Sequence, residues 1–233
     1  MHLMDCKGVS SIVFGSVLHG LVRNPRLGSN IQERLRVINE HRRLWYSQHA
    51  GLVTLPVIKE SNIGGVAGEW TSLHGPVFKA AITRKATPFF VSLARRYLAH
   101  GSPYEQTQLK ICEDLLVFYE TILRSPRFMT SEQVNKVSIA CNDFGVNFMR
   151  AREAARNAET LTWEVSPKVH KIQHMPLLCS VMNPKFVCVY EEESCVGTTT
   201  KIWAASKHGR YKRTVQATVL RKKLLGVLLR FEE

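Results

Sequence analysis

The sequence predicts a mainly α-helical protein, one helical domain over residues 1–233 with at most a few short strands. Apolar residues recur at helical spacing in most segments, start and stop signals bracket those segments, and alternating apolar-polar runs are scarce. Hydrophobic residues make up 45% of the chain and charged residues 22%, so the composition is that of a folding, globular protein.

Val9 to Val22 carries Ile12, Val13, Val17, Leu18, Leu21 and Val22 at helical spacing, and Asn24-Pro25 stops the run. It is too short to span a bilayer and reads as a core helix. Gly28-Ser29-Asn30 offers an N-cap for a basic helix to about His49, with Ile31, Leu35, Ile38 and Trp45 as its apolar stripe. The exposed face of that helix is positive. Residues 51–75 form an irregular glycine-rich loop with Pro56 and the run Gly64-Gly65-Val66-Ala67-Gly68. A phosphate cradle there would need a preceding strand, a Lys-Ser/Thr pair and a following helix, which the segment lacks.

The next helix is expected from Val77 to Leu98, kinked or broken at Pro88. Ser102-Pro103 opens another, with Leu109, Leu116, Tyr119 and Leu123, that ends at Ser125-Pro126. Thr130 and Gln133 fit a capping box for a helix reaching Asn157, with Val134, Val137, Ala140, Cys141, Phe144 and Phe148 on one face. Leu161 to Pro167 reads as extended and Lys168 to Cys179 as one short helix. A buried run follows from Phe186 to Tyr190, then helices from Glu191 to His208 and from Tyr211 to Phe231.

Thirty-two Lys and Arg against nineteen Asp and Glu give a formal charge of +13, which attracts polyanions and makes nucleic acid the expected partner. Residues 201–233 form a basic helical tail with nine Lys and Arg and two acids, Glu232 and Glu233. Candidate nucleic-acid contacts are Lys201, Lys207, Arg210, Lys212, Arg213, Arg221, Lys222 and Lys223 in the tail, with Lys168 and Lys171 upstream. The six cysteines, at 6, 112, 141, 179, 188 and 195, form no CxxC pair and suit free thiols in a reducing compartment.

Few constellations point to chemistry. His170 and His174 stand four apart, a spacing that lets two imidazoles share a metal ion. The zincin pattern needs Glu after the first His, where this chain has Lys171, so the pair reads first as ordinary histidines. Glu191-Glu192-Glu193 is either a carboxylate cluster for metal or the acidic first turn of a helix, with the helix reading ahead. No GxSxG elbow supports a serine hydrolase.

The order of three segments resembles the carboxyl-terminal half of RNase H-like DDE transposases of eukaryotic DNA elements, the group that includes the CACTA and Kyakuja-Dileera-Zisupton types. Met1-His2, Gly8-Val9 and Gly15-Ser16-Val17-Leu18 look like the segment after the family's second catalytic strand. Trp163 to His174, with Pro167-Lys168-Val169-His170, is similar to its PKxHxxxH segment. Tyr190-Glu191-Glu192-Glu193, then Gly197 and a basic tail, looks like the helix bearing the last catalytic acid.

The resemblance implies a truncated RNase H-like domain, in which a large helical insertion accounts for the helices from Ile31 to Asn157. It implies Glu193 or Glu192 as the surviving acid and metal ligand, with Asp5 as a displaced vestige of the second. The first acid would lie upstream, so the two-metal site is incomplete. The expectation is a transposase-derived nucleic-acid binder in the nucleus, DNA before RNA, that needs no cofactor and does not cut unaided. Mg²⁺ enters only if the catalytic site is active. The alternatives are a helical protein-interaction or RNA-scaffold module and an active metal-dependent nuclease.

Overall fold

A computed structural model describes residues 8–186 apart from 53, 65–68, 76, 77 and 79, with Ala80 and Ala81 in backbone only. Eight α-helices are the main regular elements among these residues, and the one β pairing there is an isolated bridge between Gly64 and Thr71. The protein is mainly helical, as its sequence predicts. The sheet of an RNase H-like core has no strand among the described residues. The helices expected from Glu191 onward lie outside them.

Helix α1, Val9–Arg23, is the centre of the packing. Val9, Val13, Phe14, Val17, Leu18 and Leu21 are fully buried, and the small residues Ser10, Ser11, Gly15 and Ser16 are buried on its other side. A helix covered all round is a core helix, which is why it shows no polar face. No described helix is long and apolar enough to cross a membrane.

Helix α2, Ile31–Gln48, starts where the Asn30 side chain accepts the Glu33 N–H at 2.9 Å. It packs on α1 and on α4, Thr87–Leu98. Phe14 of α1 stacks on Phe90 of α4 with ring centroids 4.0 Å apart, and Phe89 meets Trp45 and Tyr46 of α2. Helices α5, Pro103–Arg124, and α6, Ser131–Asn157, form the most extensive helix pair, joined by six residues. Both open on a capping box. Ser102 and Glu105 exchange bonds at α5, and Thr130 and Gln133 do so at α6.

The glycine-rich segment is irregular but packed, with Leu55, Ile58, Ile63, Thr71 and Leu73 buried. The Leu73 N–H donates to the Ser11 carbonyl at 2.8 Å, laying the chain across α1 at Gly15. A Cβ on Gly15 would lie 2.4 Å from the Ser72 carbonyl carbon, so only glycine admits this crossing.

The helix expected over Val77 to Leu98 is broken next to Pro88, as its sequence predicts, into α3 at Ala80–Lys85 and α4, because Pro88 has no N–H to continue the first ladder. Three expectations need correction. Lys168 to Cys179 is likewise split, into α7 at Pro167–Ile172 and α8 at Met175–Val181, with Pro176 in the first turn of α8. Leu161 to Ser166 is irregular, not extended. Trp163 has a left-handed φ of 60° and is held there by burial and by two bonds, its backbone N–H to Ser16 Oγ at 3.0 Å and its indole N–H to Tyr104 at 2.8 Å. Phe186, the first residue of the run expected to be buried, is 51% exposed, and the rest of that run lies outside the described residues.

Candidate nucleic-acid interface

The four arginines of α2 do different work. Arg34 closes the turn before the helix, donating to the carbonyls of Gly28 at 2.8 Å and Val22 at 3.1 Å. Arg42 donates to the Leu55 carbonyl at 2.6 Å and so holds the irregular segment against the helix. Arg43 pairs with Glu40 one turn back, at 2.7 Å. Arg36 is exposed and makes no ion pair among the described residues.

Arg36 borders a groove of about 380 Å³ between α2 and α4. Arg96 of α4, also exposed and outside any ion pair among the described residues, stands in the same groove with His41, Trp45, Ser92 and Tyr97. Its neighbour Arg95 is engaged with Glu113 at 2.8 Å. His41 is half-buried and reaches Ser92 Oγ through Nε2 at 3.2 Å. Burial, and next the Arg96 guanidinium, hold its imidazole below the ordinary histidine range, so it is neutral at pH 7. Trp45 is largely covered, stacked on His49 at 4.1 Å.

The groove therefore offers two guanidinium groups beside one neutral imidazole, and it is lined also by Trp45 and Tyr97. Guanidinium groups bind phosphate oxygens in a bidentate fashion. Glu40 also lines the groove, but it is engaged by Arg43.

A second depression lies between α5 and α6, lined by Lys110, Glu113, Asp114, Asp143, Asn147 and Arg150. Asp114 accepts a hydrogen bond from Asn147 Nδ2 at 3.3 Å. Burial, outweighing that bond, and then the neighbouring Asp143 and Glu113 push its carboxyl up to about 6. The three acids do not converge as a metal-holding group, and no such group of three exists among the described residues. The buried thiols Cys112, Cys141 and Cys179 are free, and burial raises all three, Cys141 to about 12, so they stay protonated and unreactive.

Of the residues singled out in the sequence, Lys168 and Lys171 lie on α7, away from the α2–α4 groove, with Lys171 exposed and Lys168 half-buried. His170 and His174 are brought together, their Nε2 atoms 3.3 Å apart. Asp5, Glu192, Glu193, Lys201, Lys207, Arg210, Lys212, Arg213, Arg221, Lys222 and Lys223 lie outside the described residues. The positive face of α2 was readable in the sequence, whereas Arg96 and the groove were not, because nothing local says that α4 docks beside α2. Compared with protein families, curated proteins and solved structures, the chain finds no match.

Proposed function

We propose that this is a basic helical nucleic-acid-binding protein, transposase-derived, that holds DNA mainly through phosphate contacts and does not cleave it unaided. The observation that carries the reading is the pairing state of its arginines. Arg36 and Arg96 face one groove and form no ion pair among the described residues, although Glu33 and Glu40 lie near enough to feel the Arg36 charge, in a segment whose charge is strongly positive: residues 8–186 hold 22 Lys and Arg against 13 Asp and Glu. Cations not engaged within the fold are the ones free to displace counterions from a phosphate backbone.

The test is a mobility-shift titration of a random-sequence DNA with the full chain and with Arg36→Ala/Arg96→Ala. Weaker binding of the double variant, alike for unrelated sequences, supports the reading. Binding unchanged by the double variant would remove the groove from it. Incubation with Mg²⁺ and supercoiled DNA is expected to leave the DNA uncut, and nicking abolished by Glu193→Gln would replace the reading with that of an active nuclease.

A helical protein-interaction module is the second reading. It draws on α8, where Leu177 and Val181 are 70% and 71% exposed.

A further inference from the structure

His170 and His174 sit on either side of the joint between α7 and α8. The chain keeps turning through that joint, with the Gln173 N–H donating to the His170 carbonyl and the His174 N–H to the Lys171 carbonyl, both at 3.1 Å. The two rings therefore face each other although no single helix contains both. Both residues are exposed, their Nε2 atoms are 3.3 Å apart and their ring planes stand 85° to one another.

This separation has a specific meaning in coordination chemistry. Two imidazole nitrogens bound to one tetrahedral ion at about 2.0 to 2.1 Å lie roughly 3.3 to 3.4 Å apart. At a right-angled octahedral or square site with similar bonds they would lie about 2.9 Å apart. The observed spacing matches the tetrahedral edge. Neutral imidazole is a good ligand for late first-row ions and a poor one for Mg²⁺ or Ca²⁺.

We propose that His170 and His174 chelate one zinc-type divalent ion through their Nε2 atoms, with water in the other positions. The second residue of the pair is supplied across a proline-made break, so the site depends on the α7–α8 joint. Lys168 and Lys171 lie beside it on α7, and their charge keeps the affinity modest. Because only the neutral ring ligates, binding weakens as the pH falls. The competing account is a plain hydrogen bond from one ring to the other across the same gap.

Calorimetric titration of the full, reduced chain with Zn²⁺ separates the two. The wild type is expected to show a binding event that His170→Gln and His174→Gln each lose, while His100→Gln, at another exposed histidine, keeps it. Mg²⁺ is expected to give no such event. A thermal scan adds a second readout: Zn²⁺ raises the unfolding midpoint of the wild type and not that of His170→Gln/His174→Gln, whose metal-free midpoint is unchanged. Zn²⁺ binding with the same stoichiometry and affinity in both single variants, or no Zn²⁺ binding by the wild type, would overturn the proposal.

Discussion

At the scale of single residues, Gly15 marks the tightest contact in the core. The backbone of Ser72 and Leu73 occupies the space a side chain would need, with the nearest atoms 2.4 to 2.5 Å from a Cβ. Neither partner is a flexible side-chain end, so Gly15→Ala must push the loop off α1 and strain the Leu73 to Ser11 bond. Overpacking of this kind costs about 1 to 3 kcal/mol. A urea midpoint for Gly15→Ala indistinguishable from wild type would show that the loop does not lie on the helix.

Two half-buried groups tie stability to pH with opposite signs. Burial, aided by Arg23, lowers His19 from the ordinary 6.5 to about 4, so the unfolded chain binds a proton there that the folded chain refuses. Stability from that group is lost as the pH falls from about 6.5 towards 4. Asp114 is raised to about 6, so the folded chain keeps a proton the unfolded chain has released. Its ionisation works against the fold as the pH rises through the same range. The wild type should therefore change little between pH 4 and 6.5 on account of these two groups. Asp114→Asn should unmask the histidine, giving a protein whose unfolding midpoint climbs with pH across that window more steeply than the wild type. Parallel pH profiles of variant and wild type would contradict the assignment.

At the scale of elements, the boundaries set by local chemistry were legible. The Thr130–Gln133 box and the Ser102-Pro103 start are short-range signals, and the helices begin where those residues stand. Thr130→Ala removes an acceptor from the Gln133 N–H and is expected to cost about 1 kcal/mol, read as a lower denaturation midpoint. An unchanged midpoint would mean that the start of α6 is held by its packing alone.

The break at Pro176 was missed for a physical reason. Val169, Ile172, Met175 and Cys179 are all buried, and α7 and α8 both pack on α6, so the apolar stripe runs across the break without interruption. Periodicity records which side is covered, not whether the backbone ladder is continuous. The irregular path at Trp163 was illegible for a related reason. Its left-handed φ is imposed by partners from distant parts of the chain, Ser16, Tyr104 and Phe148, which no local pattern announces.

For the whole molecule, the basic tail drew attention in the sequence, yet residues 8–186 carry most of the excess positive charge. Their 22 basic and 13 acidic residues leave +9 of the total of +13. Which of those cations remain available is a tertiary matter. Arg34 and Arg42 are spent on backbone carbonyls, and Arg26, Arg43, Arg95 and Arg124 face carboxylates. Arg36 and Arg96, like Arg23, Arg150 and Arg156, form no ion pair among the described residues, and these two face the α2–α4 groove together. The candidate site was thus half readable, as the positive face of α2, and half hidden in the packing of α4 beside it.

The central claim, electrostatic binding through cations the fold leaves free, is tested most directly by the salt dependence of DNA affinity. Each phosphate neutralised on duplex DNA contributes about −0.9 to the slope of log K against log salt. The full chain is expected to show a steep negative slope, the same for unrelated sequences, and Arg36→Ala/Arg96→Ala to flatten it by roughly 2. An affinity that does not change between low and moderate salt, or a slope that the double variant leaves untouched, would contradict the account.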